Sequence, residues 1–148
     1  MNEIFFIDRC LGKKLADSLR NEGATVEIHD AHFKQDMKDE DWLREVGERN
    51  WVVLTKDKKI ASRRLELFAV AQGNVRLFAF VDGDVSGVVV AQGFVNALEN
   101  MQQFIRGNQA PFIAKVHQSG MVKSYKNRKE LLKMLPKPVS KSSQINLP

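Results

Sequence analysis

The sequence predicts an α/β fold, with a mostly parallel central sheet, helices on both of its faces and a C-terminal β-hairpin. Two observations carry this. Short apolar runs alternate four times with stretches of helical period, the order that builds strand–helix–strand crossovers. The runs are apolar nearly throughout, as strands buried on both faces are. A third observation bears on chemistry: the first and third runs lead straight into aspartates, Asp8 and Asp57.

Residues 3–7 read as a short buried strand. A helix is expected over residues 11–21, with Leu11, Leu15, Ala16 and Leu19 on one side and Lys13, Lys14, Asp17 and Arg20 on the other. Gly23 is its natural stop. Residues 24–28 give the second strand, and residues 29–38 a polar loop carrying Asp30, His32, Phe33 and Asp36. Asp39 is expected as the N-cap of a helix reaching Arg49. The acidic first turn suits the helix dipole, and Trp42, Leu43 and Val46 face inward. Asn50 closes it. Residues 51–55 make the third strand, and residues 58–72 one continuous helix ended by Gly73.

The fourth strand covers residues 76–81, and Asp82-Gly83-Asp84 reads as a turn. Ser86 is expected to cap a long helix to Arg106, with Val89, Val90, Phe94, Leu98, Met101 and Ile105 as its apolar stripe. Residues 112–117 and 121–125 flank Gln118-Ser119-Gly120 as a hairpin. The domain is expected over residues 1–126. A basic, flexible tail follows over 127–148, with a short helix at 127–135 and basic residues from Lys133 to Lys141.

The chain has 148 residues, the length of one domain. It carries no apolar stretch near the roughly 20 residues of a membrane span, and its start lacks a signal-peptide pattern. A cytoplasmic protein with no membrane partner is expected. The single cysteine, Cys10, forms no internal disulfide, and no His/Cys cluster points to zinc. Cys10 reads as a small buried hydrophobe rather than a reactive thiol. The net charge of +5 suits a phosphate-bearing partner, but on charge alone a lysine excess that only keeps the protein soluble is the favoured reading.

Asp8 and Asp57 end neighbouring strands, where open α/β sheets bind ligands. Helix capping is the bland reading of each. Between them comes the acidic run Asp36, Asp39, Glu40 and Asp41, in which any of the last three can face inward. Three carboxylates around one hard cation suit magnesium or manganese. Such a cation activates water and stabilises charge on a phosphoryl oxygen. Arg9, Lys13, Lys14, Lys56, Lys58, Lys59, Arg63 and Arg64 crowd after the two aspartates and fit a phosphodiester. His29 and His32 read as incidental loop histidines. Asp82 and Asp84 are further carboxylates at the same rim. No Gly-rich phosphate loop is present.

Phe6-Ile7-Asp8-Arg9, Asp30-Ala31-His32-Phe33, Asp39-Glu40-Asp41-Trp42-Leu43 and Val53-Leu54-Thr55-Lys56-Asp57-Lys58-Lys59-Ile60 together resemble PIN-like domains, in particular the VapC-type toxin-related branch. Pro111-Phe112-Ile113-Ala114-Lys115-Val116 is similar to that branch's C-terminal hairpin. The resemblance implies a PIN-like three-layer fold and a Mg2+- or Mn2+-dependent endoribonuclease. It also implies the toxin role of a type II toxin–antitoxin pair, with an antitoxin protein as partner and a homodimer as assembly. By position it makes Asp8, Asp39 and Asp57 catalytic metal ligands, with Asp41 as a substitute or fourth ligand. Thr55 then orients the site by hydrogen bonding, and Arg9, Lys56, Lys58 and Arg64 hold RNA. Glutamate is common in the middle helix of such nucleases, so Asp39, Glu40 and Asp41 all qualify there. A degenerate PIN-like protein that binds RNA or a protein without cleavage is the alternative.

Overall fold

The computed structural model describes residues 3–57, 60 and 62–136. Its elements are β1 (Ile4–Ile7), α1 (Lys13–Asn21), β2 (Thr25–Ile28), a 3-10 turn (His29–Ala31), α2 (Asp39–Glu48), β3 (Val52–Thr55), α3 (Arg64–Gln72), β4 (Arg76–Phe80), α4 (Gly87–Gly107), β5 (Phe112–Val116), β6 (Val122–Lys126) and α5 (Arg128–Leu132). The sheet order is β2-β1-β3-β4-β5-β6. Neighbours are parallel up to β5, and β6 returns antiparallel as the hairpin's second strand. The expected α/β architecture, mostly parallel with helices on both faces, is the one observed.

The pleat explains why the strands are apolar throughout. Phe5, Ile7, Val52, Leu54, Phe78 and Phe80 pack with α1 and α4 on one face, while Phe6, Val53, Leu77 and Ala79 pack with α2, α3 and α5 on the other. Each large side chain removed from water in this way contributes about 1.5–3 kcal/mol. On the second face α2 and α3 approach very closely. A Cβ built on Gly47 would lie 2.0 Å from the carbonyl oxygen of Gly73. Gly47 must be glycine for this crossing to exist, while a Cβ on Gly73 would press on Arg44 Cα of α2 at 3.2 Å.

Three local expectations change. Asp39 is the first residue of α2, and Lys38 is the N-cap, with extended φ −67° and ψ 145°. The Asp39 carboxylate is drawn to a side-chain donor instead of the backbone, as described below. The helix expected over residues 58–72 is interrupted: Arg63 is extended (φ −74°, ψ 137°), and α3 starts at Arg64. Ile60 is fully buried while Leu65 is 66% exposed, so the apolar residues of this stretch do not share one helical face. Residues 58, 59 and 61 of that expected helix lie outside the described residues. The left-handed residue after α3 is Asn74 (φ 57°), not Gly73 (φ −80°).

Secondary structure continues past residue 126. Asn127 and Glu130 form a reciprocal capping box for α5, which packs on α3 and buries Leu131 completely. The part of the expected tail beyond residue 136 lies outside the described residues. Among the described residues no helix is long and apolar enough to cross a membrane.

Candidate functional site

β1 has β2 on one side and β3 on the other, so chain connections leave it in opposite directions. The carboxyl ends of β1 and β3 therefore flank the switch point where doubly wound sheets place ligands. Ile7 pairs with Leu54, and the ladder extends one step further through Asp8 N–H to the Leu54 carbonyl at 3.0 Å. That step sets Asp8 beside Thr55, the last residue of β3.

A directed relay follows. The Asp57 backbone N–H donates to Thr55 Oγ1 at 2.9 Å, and Thr55 Oγ1 donates to Asp8 Oδ2 at 2.7 Å. An amide can only donate, so it takes a Thr55 lone pair and leaves the hydroxyl proton for Asp8. Thr55 is fully buried and Asp8 is 6% exposed. Burial holds the Asp8 carboxyl above its ordinary range, and the negative charge of Asp39 adds to this. Donors from Thr55, Cys10 and the Arg9 backbone act in the opposite direction.

Cys10 is exposed as a residue, yet its Sγ turns inward and donates to Asp8 Oδ2 at 3.4 Å. It is thus not the buried hydrophobe expected from the sequence. Burial of the thiol, with the Asp8 charge beside it, pushes Cys10 up to about 11. Cys10 is a protonated donor at neutral pH rather than a nucleophile.

The acidic start of α2 resolves into distinct roles. Asp39 is half-buried, accepts from Trp42 Nε1 at 2.9 Å, and is the acid of this run whose charge is felt at Asp8. Asp41 is exposed and lies 3.7 Å from Arg44, one helical turn on. Glu40 is half-buried. Asp57 is half-buried at the same rim and lines a notch with Lys56 and Asp84.

The candidate RNA-binding residues are spread out. Lys56 is exposed directly after β3, and Arg64 is exposed at the start of α3. Arg9 lies 3.4 Å from Asp30, on the turn after β2. Lys58 lies outside the described residues. Both loop histidines have structural surroundings. His29 is buried against Phe6, Phe33 and Trp42, and His32 lies between Glu27 and Trp51.

Two polar features have surroundings that the local sequence pattern does not show: the partners of Asp82, read from the sequence as a turn residue and rim carboxylate, and the burial of Glu66. Asp82 is held on the hairpin by the Gln118 N–H at 2.5 Å and by His117 Nδ1 at 2.7 Å, which together lower its carboxyl from the ordinary range. Asp82 is therefore engaged two strands away from Asp8. Its partners are 35 and 36 residues distant, and only the β4–β5 register brings them together. Glu66 is the other feature: it is 6% exposed, and its Oε2 has no hydrogen-bond partner. Its position in the first turn of an otherwise apolar helix was the available signal.

Among the described residues no three His, Cys, Asp or Glu side chains stand close enough to hold a metal ion together. Asp8 and Asp39 still fit one. Their donors are hard oxygens, and the charge of Asp39 acts on the buried Asp8 carboxyl. Magnesium is commonly held by one or two carboxylates and keeps water as its other ligands.

A family model described as a PIN like domain matches residues 3–82, which include β1 to β4 and all three candidate acids. Among curated proteins and solved structures, none matches the chain.

Proposed function

The chain belongs to the PIN-like domain family, a nuclease-type group, and on that premise we propose that it is a metal-dependent ribonuclease acting at Asp8. The observation that carries this reading is the relay from Asp57 N–H through Thr55 to Asp8 at the switch point. A carboxylate buried against its own electrostatic preference, with the charge of another acid acting on it, is an arrangement expected where a cation binds. Asp8 and Asp39 would hold Mg2+ or Mn2+, with Asp57 at the same rim. Such an ion supplies an activated water and neutralises charge on the phosphoryl group. Thr55 fixes the direction of the Asp8 carboxylate, Cys10 and the Arg9 amide steady it, and exposed Lys56 draws the phosphate backbone to the rim.

The reading is tested by incubating labelled single-stranded RNA with the protein in Mn2+, in Mg2+ and in chelator. Cleavage that needs the cation supports it, and intact RNA in all three removes it. A second reading is RNA binding without cleavage. It draws support from Asp41 and Asp82, acids engaged by Arg44 and His117 instead of joining Asp8. Gel shift without cleavage would favour it. We further propose the toxin role, with an antitoxin protein as partner, supported by the motifs of the VapC-type branch. Growth arrest on expression, relieved by the product of an adjacent small reading frame, tests that role.

A further inference from the structure

We propose that the groove between the starts of α1 and α4 is a track for single-stranded RNA, seating a base against Val88 and its phosphate on Lys13, Lys14 and Lys56. The inference rests on the ribonuclease reading and assigns the path its substrate takes.

α1 follows β1 and α4 follows β4, so both helices begin at the rim that carries Asp8 and Asp57. They pack against one another on the same face of the sheet. One notch of about 430 Å3 opens between them, a second of about 400 Å3 lies beside it between the ends of β3 and β4 and the start of α4, and the two share Cys10, Lys56 and Val90. Lys56 therefore stands where the two notches adjoin. Each notch falls in the range of small-ligand sites, roughly 300–1,000 Å3.

The two ends differ in charge. Asp57 and Asp84 line one notch. Lys13 and Lys14 line the other, which has no acidic wall. Among the described residues, no carboxylate pairs with Lys13, Lys14 or Lys56. Lys13 and Lys14 are also placed against the preference of their own helix. They occupy the first turn of α1, which contains no acid and whose N-cap, Gly12, supplies no side-chain cap. Cations at that end of a helix are unfavourable, and an anion seated between them removes the conflict.

The floor of the basic notch is apolar. Leu11 and Ala91 form part of it, and Val88 stands 64% exposed at its edge. A nucleotide has the matching character, an apolar base face joined to an anionic phosphate. A strand lying in the groove would place one phosphate among the lysines and the next unit beside Asp57, where the cleavage chemistry is proposed.

The test is fluorescence anisotropy with a labelled six-nucleotide single-stranded RNA, in chelator so that nothing is cleaved. The expected result is about tenfold weaker binding by Lys13→Gln/Lys14→Gln, with a salt slope shallower by about 1.4 for two lost phosphate contacts. Val88→Asp should weaken binding similarly. Lys123→Gln/Lys126→Gln on β6 should bind as wild type, and duplex RNA should compete poorly. Thermal melts of each variant check that the fold is kept. Wild-type binding by the Lys13/Lys14 variant, or equal competition by duplex, overturns the track. If wild type cleaves RNA while the groove variants bind normally, the track fails and the ribonuclease reading stands. If groove-dependent binding occurs in chelator and wild type cleaves no RNA in added Mn2+ or Mg2+, the ribonuclease reading fails and the track stands. No RNA binding by wild type overturns both.

Discussion

Thr55 donates its hydroxyl proton to Asp8 at 2.7 Å while accepting the Asp57 amide at 2.9 Å, so one buried side chain ties both strand-end aspartates together. Thr55→Val keeps the shape and removes the link. It leaves Asp8 Oδ2 with Cys10 as its remaining side-chain donor and takes the Thr55 acceptor from the Asp57 amide, with an expected loss of about 1–3 kcal/mol by denaturant unfolding. Mn2+ affinity, read by calorimetry, should fall about 10–100-fold, as when a hydrogen bond that orients a metal ligand is lost. Thr55→Ser should recover most of both.

The charge on Asp8 opposes folding. Its carboxyl is held above its ordinary value of 3.8 by burial and by Asp39, so the folded protein binds that proton more tightly than the unfolded chain. The stability this contributes is complete below about pH 3.8 and is lost as pH rises through the folded-state value. Asp8→Asn keeps an acceptor for Thr55 without the charge. At pH 7 it should melt a few degrees above wild type, on the order of what ~1 kcal/mol gives at this chain length. The gain should vanish near pH 3.8. Added Mn2+ should raise the wild-type Tm and leave the variant unmoved.

Gly47 marks a limit that no side chain can cross. In Gly47→Ala the new Cβ would meet the Gly73 carbonyl at 2.0 Å, and α2 would have to move off α3. The expected cost is about 3 kcal/mol, the upper part of the usual overpacking range. Because Asp39 begins the same helix, the variant should also lose Mn2+ affinity. A Tm equal to wild type would show that the crossing is looser than described.

Leu131 lies beyond the domain end expected at residue 126, yet it is fully buried under α3. Leu131→Ala should cost about 2–5 kcal/mol. A chain ended at residue 126 should melt at least as early. Retained stability in both would place α5 outside the folding unit.

Much of the sheet was legible because its strands are apolar runs bounded by turn residues, and their order fixed the α/β class. Asp8 and Asp57 were legible for a related reason: a charge directly after a buried run has little packing use. Local pattern could not place the rest. The Arg63 break has no glycine or proline to mark it and follows from Ile60 and Leu65 facing different surroundings. Asp39 is one residue inside its helix because Trp42 Nε1, a side chain, is its donor. Asp82 found His117 through strand register, a relation no window of sequence contains. Cys10 read as an apolar filler because nothing in its neighbours shows that its thiol turns toward Asp8.

The most direct measurement is Mn2+-dependent cleavage of labelled single-stranded RNA by wild type beside Asp8→Asn, with equal folding of both confirmed by circular dichroism. Cleavage by wild type and its loss by 100-fold or more in Asp8→Asn is the expected result, since removing one essential catalytic group commonly costs at least roughly that factor. Equal cleavage by the two proteins, or none by wild type under any divalent cation, would contradict the assignment of Asp8 as the centre of a metal-dependent ribonuclease.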